Sequence, residues 1–375
     1  MKIISIRRSA VAVLASASLL SAPVLAGPDP KAAVQPPQVE SSTFDKAIAK
    51  YPPRPRLAAQ QMMAKYGVPL EISSEAVVWH NVGPYKRIMV TKAEIPHDFP
   101  KPHMDYLEHT VTFNVPTDKV TALVAYDASM TINKTAGEMS ARCDLEGHNI
   151  LTLNLARDIV HGKKTVQEAR KAFGQNVVDD VLGKKPAYVE KLQFEPDPKA
   201  AFADVPTIPG SPKRAADAPA GTDAEVLAFV IAINENEILA AAEASKEQMG
   251  AGPMEFAKMM HTEHGKNAVD TMKLGQTMKV VPTDTAAVDA LRVKGADELA
   301  ALVKLDGVQF ERAYMTAMVK GHEEVLAMFD GQLMKAAKSE ALKKHLTATR
   351  HHVAMHLEKA QKLVKDAGGT AAGAP

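Results

Sequence analysis

Apolar residues recur at three- and four-residue spacing over most of the C-terminal part of the chain, which is the pattern of amphipathic helices. The stripes are separated by Gly- and Pro-containing breaks, of which Gly250-Ala251-Gly252-Pro253 is the clearest. The predicted helices cover 223–247, 254–279, a short stretch near 297–304, 307–337 and 339–365. Four long helices with short connections predict an all-α, up-and-down four-helix bundle over residues 223–366.

Residues 56–194 mix strand and helix periods. Short β-type runs at 77–79 and 87–90 flank a Gly-Pro turn, a second hairpin is predicted to join 129–132 to 138–143, and 107–115 alternates apolar and polar positions. Helical spacing covers 57–66, 118–126, 146–161 and 165–182. The pattern predicts an α+β module with a small antiparallel sheet.

Pro-, Ala- and Gly-rich segments separate and flank these modules. Residues 27–55 are expected to form a disordered lead, and the last nine residues, 367–375, a disordered tail. Six prolines between 196 and 219 oppose a regular element, so 195–222 is predicted to be an interdomain linker.

The first 26 residues have the pattern of a cleaved secretory signal. Three basic residues precede an apolar stretch, which is too short to span a bilayer, and small or β-branched residues lead to a cleavage point after Ala26. No later segment is apolar over a membrane-spanning length. We therefore predict a periplasmic or secreted protein without a membrane span.

Charge and cysteine content narrow the classes of function. The chain has 45 Lys and Arg residues and 44 Asp and Glu residues, so its net charge is close to zero and provides no general attraction for nucleic acid. The single cysteine, Cys143, excludes an intrachain disulfide and a cysteine-based metal cluster, and in an oxidising compartment it is expected to be buried. Nothing in the sequence identifies a protein partner or a small ligand.

Each long apolar stripe in the C-terminal module is interrupted by one ionisable residue: Glu237, His264, His322 and His356. Counted from the predicted turns at about 1.5 Å per residue, the four lie at nearly the same depth in the bundle. Two arrangements would satisfy them. One is a Glu–His hydrogen-bond network with Tyr314. The other is a site for one ion of Zn, Cu, Ni or Fe, with Glu263, Tyr314 and His261 in supporting positions.

Other candidates carry weaker signals. The Met-rich helix positions are expected to fill the core, and His345, His351 and His352 to face solvent. The patch from Trp79 to Arg87 is expected to supply turn chemistry and a core anchor, although a ligand or partner surface there, with His97, His103, Asp105, Glu108 and His109 following it, stays open. No catalytic triad, phosphate loop or His-Glu-x-x-His helix is present, so the sequence favours a non-enzymatic role without deciding it.

The segment 309–323 (QFERAYMTAMVKGHE) resembles the Phe-Asp-x-x-Tyr-x-x-x-Met-Val-x-Asp-His pattern of a bacterial exported family. Glu263-His264 and His356-Leu357 are similar to two further motifs of that family, which is catalogued as domain of unknown function 4142 and described as a predicted outer membrane protein with a ferritin-like bundle. The resemblance covers about 223–363 and implies the fold and export. Gly321 departs from the family's Asp, which weakens a site if that Asp is a ligand.

Two functions therefore remain open from the sequence. The leading expectation is an exported protein of unknown biochemical activity with a binding or structural role in the cell envelope. The alternative is a bundle that holds one transition-metal ion on the layer of one glutamate and three histidines. An enzyme centred on the Trp79–Arg87 patch would require a cleft with converging polar groups.

Overall fold

The computed structural model describes residues 41–201 and 204–371, which divide into two compact units between Asp204 and Val205. The predicted signal, residues 27–40 of the predicted lead and the last four residues lie outside this description. The boundary between the units falls inside the predicted linker.

A six-stranded sheet with the order β1-β2-β3-β4-β6-β5 organises the first unit, and all its neighbouring strands are antiparallel. Its strands are β1 (Glu71–Ile72), β2 (Ala76–Val82), β3 (Tyr85–His97), β4 (His103–Thr112), β5 (Thr131–Asn133) and β6 (Glu138–Cys143). Its helices are α1 (Ser41–Ile48), α2 (Pro53–Tyr66), α3 (Val120–Tyr126), α4 (Glu146–Val160), α5 (Val166–Val181) and α6 (Ala187–Glu190). The predicted α+β class and both predicted hairpins are confirmed.

The prediction of a disordered lead is wrong for residues 41–55. Within α1, Phe44 and Ile48 are buried in the core of the first unit, and Tyr51 follows them there. Helix α2 begins at Pro53, because proline lacks the amide hydrogen that the first turn of a helix leaves unused. Proline-rich composition therefore marks a helix start here rather than a mobile segment.

Helices dominate the second unit. They are α7 (Asp223–Ala244), α8 (Ala251–Met278), α9 (Ala286–Leu302), α10 (Gly307–Met328), α11 (Met334–Ala336) and α12 (Glu340–Ala371), with a π-helical turn at Phe329–Leu333 between α10 and α11. The predicted all-α class is confirmed. In the described part of the chain, no helix is both long and apolar enough to cross a membrane.

Helix α9 is far longer than the short element predicted near 297–304. Only Val288 and Leu302 in it are buried, so it has almost no apolar stripe to reveal it. Thr285 caps its first turn by accepting a hydrogen bond from the amide of Val288. Gly295 allows close packing on α7, because a Cβ there would lie 2.3 Å from the side chain of Asn236.

The predicted linker and tail are also partly regular. Strand β7 (Lys213–Arg214) pairs in parallel with β8 (Thr283–Asp284) in the second unit. Near the first unit's sheet, the Asp197 amide donates to Thr112 O over 3.0 Å. The final helix continues to Ala371 rather than ending at 365, so the predicted disordered tail is wrong for residues 367–371.

Candidate metal centre

A polar layer divides the hydrophobic core of the second unit into two separate clusters. One cluster contains Phe229 and Phe329, and the other contains Phe256 and Phe310. Each of the four long helices contributes to both clusters and carries one ionisable residue between these two contributions. These four residues are the ones predicted to interrupt the apolar stripes, and all are buried: Glu237, His264, His322 and His356. Because the apolar packing stops on both sides of this layer, its side chains must satisfy one another or a ligand.

Three of these residues converge. Each imidazole of His264, His322 and His356 offers a ring nitrogen, and the three nitrogens lie within 4.8 Å of one another. The ring centroids are 5.1 to 5.9 Å apart, and the side chains come from α8, α10 and α12 respectively. The residues are 4%, 1% and 3% exposed, so bulk water does not separate the rings.

The outward-facing nitrogen of each ring is fixed by a hydrogen-bond acceptor. Nδ1 of His264 donates to Asn234 Oδ1 over 2.8 Å, and Nδ1 of His322 donates to the carbonyl of Met318 over 2.8 Å. Nε2 of His356 donates to the carboxylate of Glu263 over 2.7 Å. A neutral imidazole carries one N–H, so in each ring the other nitrogen keeps a lone pair.

Those lone-pair nitrogens have no hydrogen-bond partner among the described residues: Nε2 of His264, Nε2 of His322 and Nδ1 of His356. Burial lowers the pKa of all three imidazoles, to about 4 for His322. At neutral pH the rings are therefore uncharged, and each keeps a lone pair on a buried nitrogen that has no partner among the described residues. Neutral imidazoles with the opposite nitrogen anchored are the form in which histidine binds metal ions.

Glu237 lies in the same layer but outside the group of three converging nitrogens. Its Oε1 is 3.9 Å from Nδ1 of His322, the nitrogen already bonded to Met318. Burial, reinforced by the charge of Glu298, raises the pKa of Glu237 to about 8. At pH 7 this residue is mainly a neutral acid beside the cluster, which differs from the predicted set of four convergent ligands.

The three supporting residues named from the sequence take different positions. Glu263 orients His356, as described above, although its side chain is 43% exposed. Tyr314 is fully buried and its hydroxyl has no partner among the described side chains, and burial together with the nearby Glu237 raises its pKa. His261 is exposed and does not join the cluster. Gly321 leaves space beside Glu237, since a Cβ there would lie 3.8 Å from Oε1.

A chain of amides and hydroxyls that sequence reasoning missed extends from the histidines. Asn234 donates to Asn267 Oδ1 over 2.8 Å, and Asn267 in turn donates to the hydroxyl of Thr349 over 2.9 Å. Since Asn234 Nδ2 is used as a donor, its Oδ1 is free to accept from His264. The only sequence signal for this chain is an Asn or Thr in an otherwise apolar helical stripe.

A cavity of 460 Å³ between α8 and α12 reaches the cluster, and its lining includes both His264 and His356. Asn267, Asp270, His345 and His352 form part of the polar wall. The cavity offers a route for a small cation or ligand to the buried nitrogens. His345 is not a free surface residue, because its Nε2 is bonded to the Thr271 hydroxyl over 2.8 Å.

In the first unit, the patch that begins at Trp79 is structural. The Trp79 indole is 1% exposed and donates to the carbonyl of Gly67 over 2.8 Å. Arg87 lies 3.7 Å from the Glu108 carboxylate and 3.5 Å from that of Glu138. These contacts agree with the expected core anchor and turn chemistry.

His109 belongs to a second structural network in that unit. It is fully buried, and its Nε2 lies 3.6 Å from Oε1 of Glu146. Glu146 also accepts hydrogen bonds from Lys65, over 2.7 Å, and from the Tyr66 hydroxyl. Burial alone would raise the pKa of Glu146, but these donors outweigh it and lower the pKa to about 2.

Comparison with known proteins adds a family but no activity. Residues 209–363 match a family model described as a domain of unknown function (DUF4142), which confirms the family predicted from the helical motifs. The match begins inside the predicted linker and includes α7 to α10 and most of α12. No curated protein and no solved structure matches the chain.

Proposed function

We propose that the helical unit, which belongs to the family catalogued as a domain of unknown function (DUF4142), binds one divalent transition-metal ion on His264, His322 and His356. One arrangement carries the proposal: one ring nitrogen from each histidine lies within 4.8 Å of the other two, and each ring has one anchored nitrogen and one buried nitrogen without a partner among the described residues. Imidazole donors suit Zn, Cu and Ni, and also Fe.

A hydrogen-bond network alone accounts for only one of the two nitrogens in each imidazole ring. It satisfies the outer nitrogens, but the three inner nitrogens are all acceptors, and acceptors cannot bond to one another. Leaving a buried polar atom unsatisfied costs about 1–3 kcal/mol. A cation shared by the three lone pairs removes this cost at all three atoms together.

The donor set indicates a site with an open position. Structural zinc sites use four protein ligands, whereas three protein ligands leave one position for water or substrate. The cavity lined by His264 and His356 lies on the side from which such a molecule could approach. Glu237 lies beside the site, with its Oε1 3.9 Å from Nδ1 of His322, and is not one of the three convergent donors.

Metal analysis of the full chain, purified without chelator, tests this proposal. We expect His264→Gln and His322→Gln to lower the metal content by one equivalent per chain, and His351→Gln, an exposed residue of α12, to leave it unchanged. Zn²⁺ or Cu²⁺ added to chelator-treated protein should raise the melting temperature of the wild type and the control variant. Equal metal content in the wild type and His322→Gln would refute the proposal.

We also propose that the protein acts outside the cytoplasm, in the cell envelope. The basic start, the apolar stretch and the small residues before Gly27 support this. Mass spectrometry of the protein recovered from a periplasmic extract should show an N-terminus at Gly27. An intact Met1 in that fraction would contradict the proposal.

A further inference from the structure

A second group of metal-ligating side chains lies in the first unit, where three strands and a helix meet. His97 at the end of β3 faces His103 at the start of β4 in the sheet register. Cys143 ends β6, and Asp144 lies two residues before the start of α4. The sequence pointed to His97, His103 and Asp105 as a possible ligand or partner surface. It did not reveal Cys143 and Asp144, because strand pairing brings Cys143 to His103 across 40 residues of the chain.

His103 and Cys143 form the centre of the group. The Cys143 Sγ lies 3.2 Å from Nε2 of His103 and 3.3 Å from Oδ1 of Asp144. Nδ1 of His103 donates to the carbonyl of Lys101 over 2.9 Å, which fixes the ring with Nε2 toward the sulfur. One donor atom each from His103, Cys143 and Asp144 lies within 4.8 Å of the other two.

A buried carboxylate contacts the histidine of this group. Asp105 is 4% exposed, and its Oδ1 lies 3.1 Å from Nε2 of His103 without a satisfied hydrogen bond among the described atoms. Its other oxygen, Oδ2, is 3.2 Å from Nδ1 of His97. His148 approaches Asp144 in the same way, with Nδ1 3.3 Å from Oδ1. The contact of His148 with Asp144 is a hydrogen bond, of the kind by which outer residues orient the ligands of metal sites.

The charge around this group favours a cation. Three carboxylates contact the histidines of this region: Asp105 and Asp127 lie 3.2 and 3.8 Å from the His97 ring, and Asp144 lies 3.3 Å from His148. Asp105 and Asp127 are 4% and 3% exposed. Across the described residues, their ion-pair partners are histidines, and no Lys or Arg lies within 4.0 Å of them. Buried carboxylates require a compensating charge, and a metal ion provides it.

We propose that the first unit holds a second metal site, with Cys143, His103 and Asp144 as the protein ligands of one thiophilic divalent ion. Sulfur, nitrogen and oxygen donors in one site are typical of Zn²⁺ and of its spectroscopic substitute Co²⁺. Cys143 is 4% exposed, which agrees with a ligand and opposes a role as an accessible nucleophile. This site is independent of the proposed function, because its ligands all come from the first unit.

Cobalt spectroscopy on the chelator-treated full chain tests the second site. Cys143 is the single cysteine of the sequence, so a near-ultraviolet sulfur-to-cobalt charge-transfer band can arise only from this residue. We expect the wild type to show the band on adding Co²⁺ and Cys143→Ser to lose it. His103→Gln should weaken the band strongly, while His161→Gln, an exposed histidine of the same unit, should retain it.

Two further measurements separate this site from the helical site and test it without cobalt. The double variant His264→Gln/His322→Gln should keep the full charge-transfer band, so failure of the helical site would not affect this test. In the wild type, Zn²⁺ should slow the reaction of Cys143 with a thiol reagent at least tenfold, and chelator should restore the rate. A wild-type chain with neither the cobalt band nor zinc protection of its thiol would overturn the proposal.

Discussion

Asn234 sets the orientation of His264, so replacing it should weaken metal binding without removing any ligand. Its Oδ1 accepts from Nδ1 of His264, while its Nδ2 donates to Val230 O and to Asn267 Oδ1. Leucine has a similar shape but no acceptor. In Asn234→Leu, the His264 ring can place its proton on either nitrogen and can rotate, so Nε2 no longer has a fixed lone pair.

The expected loss follows from the role of the second sphere. Replacing such partners typically lowers metal affinity 10–100-fold, or about 1.4–2.7 kcal/mol of binding free energy. Asn267→Leu removes the next link in the chain and touches no histidine, so we expect less than a threefold effect.

Zinc affinity is best measured by competition with a chromophoric chelator, with Cys143→Ser present in every variant. This background removes the sulfur ligand proposed for the first unit, so the helical unit alone is titrated. The melting temperature in chelator reports any general damage to α7 separately. If Asn234→Leu binds zinc as tightly as its parent, or if Asn267→Leu loses as much affinity, orientation by Asn234 is refuted.

Three predictions concern stability and can be checked by denaturant unfolding. Gly137→Ala should lower the free energy of unfolding more than Gly162→Ala does, by about 1 kcal/mol or more. Both glycines have positive φ, but only a Cβ at position 137 would meet backbone, 2.2 Å from Ala200 O. Equal losses in the two variants would contradict this. Gly321→Ala should stabilise the helical unit by roughly 0.4–1 kcal/mol, because this helical position has room for a methyl group, whose nearest neighbour would be Oε1 of Glu237 at 3.8 Å. A loss of stability would exclude this. The pKa of Glu146, lowered to about 2, means that its stabilisation is complete above about pH 4.5 and disappears as the pH falls toward 2. Glu146→Gln should therefore cost up to about 3 kcal/mol at pH 6 and progressively less toward pH 3, and a difference that does not change with pH would count against this.

Helical periodicity was sufficient to locate the layer of ionisable residues in the second unit. Counting from predicted turns placed four residues at one depth, and the structure has Glu237 3.9 Å from His322 and the three imidazoles together. The position of a residue along the helix axis follows from a fixed rise per residue. An error of one or two residues in a predicted helix end therefore changes that position only slightly. The direction in which each side chain points depends on rotamers and neighbours, which explains why Glu237 falls outside the convergent group.

Features that depend on pairing between distant segments escaped the sequence. Helix α9 has almost no apolar stripe, since only two of its residues are buried. The group around Cys143 exists because β3, β4 and β6 are neighbours in the sheet, and strand order is not written in any local pattern. The helix at 41–48 was missed for another reason: its proline-rich surroundings suggested disorder, while Phe44 and Ile48 pack into the core.

The manner in which the three imidazoles are held distinguishes a binding site from a device that only sets helix register. One buried polar pair is enough to fix register. Here three rings are anchored by three different acceptors, an amide oxygen, a backbone carbonyl and a carboxylate, and each anchor leaves the lone pair facing inward. A layer that served stability alone would turn at least one N–H inward to bond its neighbours, because that choice satisfies two atoms with a single proton. In this structure no ring turns its N–H toward a neighbouring ring, so none of these bonds forms. A cation bound by the three lone pairs would make this orientation of the rings favourable.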